Sequence, residues 1–210
     1  MSSRIRFAAA RNVFEAFPDL RRFVSPPTDD CAPLDYARRL LASPQPVDAI
    51  VFLAHLLPRR EAVWWARQCV VAILGAAAEA DPATRAADAW VRAPEEETRR
   101  AALEIAAAGD ESRAATWLAR AAALSGGSRT APDQEPRPPQ PSACAQAANA
   151  AIILAICAGE GQAIPARIQA CAEAGVNFAA GGEAKVVAPA PRGPPPSSSS
   201  ASRPVGSPRG

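Results

Sequence analysis

The stretch from Pro58 to Ala78 restricts the fold more than any other part of the chain. After Arg59, Arg60 and Glu61 it is apolar nearly all round a helical wheel, interrupted only by Arg67 and Gln68. A helix apolar on every side has to be surrounded by other elements. The uninterrupted apolar run, Cys69–Ala78, is half of the roughly 20 residues that a membrane span requires. The sequence therefore predicts a buried central helix within a helical assembly rather than a transmembrane segment.

Prolines and apolar spacing place the other helices around it. They are expected near Ala8–Ala16, Pro33–Ala42, Pro46–Leu57, Pro82–Arg92, Pro94–Ala108 and Glu111–Leu124, then near Ala143–Ala158 and Pro165–Ala174. Asp81-Pro82 is a strong start signal, an N-cap acid followed by a first-turn proline. Glu95, Glu96 and Glu97 complement a helix dipole at its positive end. Gly109 and Gly175 are expected to stop helices, and Asp110 and Ser142 to cap them. Alanine is abundant and aromatic residues make up 5% of the chain. The expected class is all-α, a helical bundle or short repeat-like array.

Four regions are expected. Residues 1–124 form a helical domain, and 125–141 a Pro/Gly-rich linker. Residues 142–178 form a helical hairpin, either docked on the domain or separately mobile. Residues 179–210, rich in Pro and Ser and basic in charge, form a disordered tail with too little apolar side chain to offset ordering entropy. Trp64, Trp90 and Trp117 recur at nearly even spacing and could mark a helical repeat.

The charge pattern argues against a nucleic-acid partner, since the formal net charge is +2. Five cysteines, an odd number without a C-x-x-C pair, read as reduced thiols of a cytoplasmic protein. No signal peptide is expected, because Arg11, Asn12 and Glu15 break the segment after Phe7. The chain has one histidine, His55, without a cysteine or carboxylate at helical spacing to complete a metal site. No nucleophile–base motif and no phosphate-cradling glycine loop occurs. The expectation is no catalytic set, no cofactor and no metal.

The most distinctive segment is Leu56-Leu57-Pro58-Arg59-Arg60-Glu61-Ala62-Val63-Trp64-Trp65-Ala66. Arg59 and Arg60 sit at a helix N-terminus, where the dipole disfavours positive charge. Compensation is expected from Glu61, from a neighbouring acid or from a partner. Trp64 and Trp65 point about 100° apart, so one of them can line a second interface or an exposed groove. Trp and Arg are enriched at binding hot spots. Arg59, Arg60, Glu61, Trp64 and Trp65 are thus the candidate protein-binding residues. Two alternatives are an enzyme site near His55, Arg59 and Glu61, and a membrane-associated subunit using the apolar helix 143–158.

This segment, with Phe7-Ala8-Ala9-Ala10-Arg11 through Phe14 and the loop into Pro33-Leu34, resembles an uncharacterised family of small all-helical bacterial proteins associated with type VI secretion gene neighbourhoods. The resemblance covers about residues 7–125 and leaves out the chain after Ser125. It implies an accessory or adaptor protein with secretion-system components as partners, and it brings no catalytic residue with it.

Overall fold

A computed structural model describes residues 3–130, 133–158 and 161–187, the Gln162 side chain excepted. Ten α-helices follow one another among these residues. They are α1 (Ala10–Ala16), α2 (Pro33–Leu41), α3 (Val47–Leu56), α4 (Arg59–Leu74), α5 (Ala76–Ala80), α6 (Pro82–Arg92), α7 (Glu96–Ala108), α8 (Ala114–Ala123), α9 (Ala143–Cys157) and α10 (Ile164–Ala179). No strand occurs among the described residues, and the class is all-α as the sequence predicts.

Helix α4 is the hub. It packs against α9, α6, α8 and α10, while α6, α7 and α8 pack on one another and α9 lies along α8. One apolar cluster runs from Val13 and Phe14 through Phe52, Trp65 and Leu118 to Ile152 and Phe178. The hairpin of α9 and α10 therefore shares the core of the first 124 residues. Alanines make the close approach possible: Ala121 and Ala122 on α8 and Ala147, Ala148 and Ala151 on α9 are all buried. At the other end Phe14, Tyr36 and Phe52 form an aromatic knot, with Tyr36 and Phe52 centroids 5.0 Å apart and nearly perpendicular.

Several boundaries differ from the sequence reading, each for a local reason. The expected helix Pro58–Ala78 breaks at Gly75, which adopts φ 73° and ψ −160°. That positive φ suits glycine far better than any residue with a side chain. Helix α8 begins at Ala114 rather than Glu111, because Asp110 accepts hydrogen bonds from the Ser112 backbone and hydroxyl and holds a turn there. Ser142 does not cap α9; its hydroxyl donates to Asp19 Oδ2 at 2.6 Å. Asp81 does cap α6, accepting from the Ala83 N–H at 2.8 Å.

The largest difference is at Gly175. It does not stop α10, which continues to Ala179. The glycine is there for space: an added Cβ would lie 2.8 Å from Trp65 Cε2 and Cζ2 and 3.0 Å from Leu53 Cδ1.

The Pro/Gly segment after α8 is fastened along α7. Arg99 is buried at 3% exposure, ion-paired to Glu96, and donates to the carbonyls of Ala123 and Ser128. Arg100 donates to the carbonyl of Thr130. Residues 180–187 leave α10 and lie against the bundle, with Ala184 buried and Lys185 and Val187 exposed. The part of the expected tail from 188 to 210 lies outside the described residues.

Candidate functional site: the two faces of α4

The adjacent tryptophans of α4 have opposite fates. Trp65 is fully buried, and its indole N–H donates to the carbonyl of Cys171 on α10 at 3.0 Å. Its ring fills the notch left by Gly175. Trp65 is thus a core residue rather than a contact residue, contrary to its place among the candidate binding residues. Trp64 is half-buried and turns outward.

Trp64 sits at the boundary of two shallow grooves. One, of about 330 Å³, is lined by Arg4, Arg60, Glu61, Trp64, Arg92 and Phe178, with Val91 behind them. The other, of about 600 Å³, runs along α4 past Gln68 and Val71 to the segment Gly182–Val186. Arg4 and Phe178 line both. The Arg4 guanidinium lies 4.0 Å from the Phe178 ring centroid and donates to the carbonyls of Phe178 and Gly182. These contacts fix the groove wall, a cation stacked on an aromatic face. Arg67 approaches Trp64 from the far side, 5.7 Å from the ring centroid, and pairs with Glu79 and Asp88.

Arg59 and Arg60 are compensated without any acid. Arg59 Nη1 donates to the Ser125 carbonyl just beyond α8, and Arg60 Nε donates to the Val91 carbonyl in the last turn of α6, both at 2.6 Å. Those carbonyls lie at the negative ends of their helices, so each cation at the start of α4 meets a partial negative charge from a neighbour. The expected pairing with Glu61 or another acid does not form among the described residues.

Of the five candidate binding residues, then, Arg60, Glu61 and Trp64 share one groove. Arg59 points to a different cavity, and Trp65 is core. The groove residues missed by sequence reasoning are Arg4, Arg92 and Phe178. Arg4 and Phe178 lie at opposite ends of the described chain, and nothing local in the sequence pairs them.

The alternative trio of His55, Arg59 and Glu61 is split as well. His55 and Arg59 line a third cavity of about 340 Å³, with Arg6, Phe17 and Cys144. Glu61 lies on the Trp64 groove instead. His55 is 2% exposed, and its Nδ1 is 2.8 Å from the Val51 carbonyl. A carbonyl only accepts, so Nδ1 carries the proton. Nε2 is buried without a partner. Burial holds the His55 pKa below its ordinary value of 6.5, against opposing influences from the Val51 hydrogen bond and the Asp19 carboxylate.

The evenly spaced tryptophans do not occupy equivalent places. Trp90 is buried, Trp64 faces the grooves, and Trp117 is half-buried with Arg120 over its ring and its N–H bonded to the Glu111 carbonyl. All five cysteines are free thiols. Among the described residues no group of three or more His, Cys, Asp or Glu side chains is placed to hold a metal ion. No helix among them is long and apolar enough to cross a membrane, α9 included.

No curated protein and no solved structure matches the chain. A family match does exist, and it spans α2 to α10, reaching past Ser125 to take in the C-terminal hairpin that the resemblance left out. On residues 36–179, the chain belongs to the family of unknown function DUF6931.

Proposed function

We propose that this chain is a non-enzymatic protein-interaction module whose contact surface is the Trp64 groove. The observation that carries the reading is the division of labour on α4. Trp65 is locked into the core, while Trp64 is held half-exposed between Arg4, Arg60 and Arg92 on a rigid helix. A preformed aromatic–arginine patch of this kind costs little ordering entropy on binding. The protein acts in the cytoplasm, with protein partners and without nucleic acid. The resemblance of its Leu57–Ala66 segment to bacterial proteins from type VI secretion neighbourhoods extends the reading to an accessory or adaptor role in such an apparatus.

The test is affinity capture with the full chain and with Trp64→Ala, with Trp117→Ala as a control for a half-exposed tryptophan elsewhere. Folding of each is checked by circular dichroism. The reading requires a partner that wild type and Trp117→Ala recover and Trp64→Ala loses. Equal recovery by a folded Trp64→Ala variant would remove the groove from the proposal.

A further inference from the structure

The two grooves that meet at Trp64 form one track along α4. Arg60, Trp64, Gln68 and Val71 recur at helical spacing on one face, and each lines a groove. From Arg60 to Ala72 the track runs about 18 Å, at about 1.5 Å per residue. Its two ends differ. At the start of α4, Arg4, Arg60 and Arg92 surround a single carboxylate, that of Glu61. At the far end Val71 and Ala72 face the Gly182–Val186 segment, where Lys185 and Glu183 balance each other. Trp64 and Phe178 join the two halves.

The cations at the first end keep their charge. Arg4 and Arg60 donate to carbonyls, which hold the guanidinium groups in place without neutralising them. Arg60 bonds through Nε, so its terminal nitrogens remain free to donate among the described residues. The Arg92 side chain is 77% exposed and lies 3.5 Å from Asp88, a carboxylate that Arg67 approaches more closely. Charge therefore selects the occupant. Residues 188–210 of the chain itself carry Arg192, Arg203 and Arg209 and no acidic side chain, so they share the sign of the rim. A nucleic-acid strand would set phosphates against Glu61 and Glu183, and the Phe178 ring it would stack on already carries Arg4.

We propose that this track binds a short acidic peptide segment of a partner protein, its carboxylates at Arg60 and Arg92 and its apolar side chains along Trp64, Phe178 and Val71. An extended segment of about five residues spans the track, at about 3.3 Å per residue. The inference rests on the interaction reading above and gives the partner its chemistry.

The chain has four tryptophans, so its indole ¹H–¹⁵N signals are few, and Trp64→Phe identifies the one from Trp64. The full chain is titrated with three capped pentapeptides, each with three leucines and a pair of glutamates, glutamines or lysines. The glutamate peptide should shift the Trp64 signal saturably, with Kd on the order of 0.1–1 mM for a ligand of this size. The glutamine peptide should bind at least about fivefold more weakly, and the lysine peptide should give no saturable shift. Arg60→Gln and Arg92→Gln, with unchanged circular dichroism, should each weaken the glutamate peptide about threefold, and raised salt should weaken it further. Equal binding of all three peptides would leave the groove as a contact surface and overturn its preference for acid. A Trp64 signal unmoved by every peptide also overturns the proposal, and the interaction reading falls with it only if Trp64→Ala captures partners as wild type does. A tighter shift with a thymidine decanucleotide, or a Trp64 shift on concentrating the protein alone, would assign the track to a nucleic acid or to a second copy instead.

Discussion

Replacing Gly175 by alanine is a severe trial of the packing described for α4 and α10. On helix propensity alone, Gly→Ala in a helix interior stabilises by about 0.5–1 kcal/mol. The structure predicts the opposite sign. The new Cβ would lie 2.8 Å from two carbons of the Trp65 ring and 3.0 Å from Leu53 Cδ1, and both of those side chains are fully buried. The ring cannot simply withdraw, because its N–H is bonded to Cys171 on the same helix as the glycine. Overpacking of this kind costs about 1–3 kcal/mol. With the propensity gain subtracted, the net is a destabilisation of about 1–2 kcal/mol. For a chain of this length that is a fall in Tm of about 2–8 °C. Urea denaturation followed by circular dichroism measures it, with Trp65→Phe as the second arm. The smaller ring opens room, so Gly175→Ala should cost less in the Trp65→Phe background than alone, a coupling of at least about 0.5 kcal/mol. A stabilising Gly175→Ala, or strictly additive variants, would refute the reasoning.

Other consequences are as direct. Trp65→Ala should cost about 3–5 kcal/mol in denaturant titrations, as a large core truncation does, and Trp64→Ala no more than about 1 kcal/mol. Arg99→Ala strips the partner from the Ala123 and Ser128 carbonyls, so it should destabilise by about 2–3 kcal/mol and speed proteolysis within residues 125–141. Below pH 6.5 stability should decline, since burial lowers the folded His55 pKa and the unfolded chain then binds the extra proton; His55→Gln should flatten ΔG between pH 6.5 and the folded pKa. In a maleimide time course Cys157, which is exposed, should react first. Cys144, its thiol pushed up to about 12 by burial, should react only on unfolding.

The helices were legible because their apolar stripes and proline starts are local signals. Asp81-Pro82 predicted the start of α6 to the residue, and the all-round apolar run predicted the hub helix. Two glycines were harder to read. Gly75 breaks an otherwise unbroken apolar pattern through backbone dihedrals, and Gly175, which resembles a helix stop, is a packing notch for a residue more than a hundred positions away. The site was half legible. The Trp64-Trp65 pair indicated that one ring could line a second interface or an exposed groove, but helix geometry alone did not say which. That was decided by α10, through the Cys171 carbonyl and the Gly175 notch. The partners of Arg59 and Arg60 were unreadable for a similar reason: they are backbone carbonyls at the ends of other helices, and residue types carry no trace of them. Arg4 and Phe178 meet only because the segment before α1 and the end of α10 converge on α4.

The interaction reading is tested most directly by hydrogen–deuterium exchange on the full chain with and without a captured partner. Peptides covering Arg60–Ala72 and Phe178–Val187 should gain protection on binding, while those covering α7 stay unchanged. Protection confined to α7, or to the 125–141 segment that Arg99 holds in place, would contradict it.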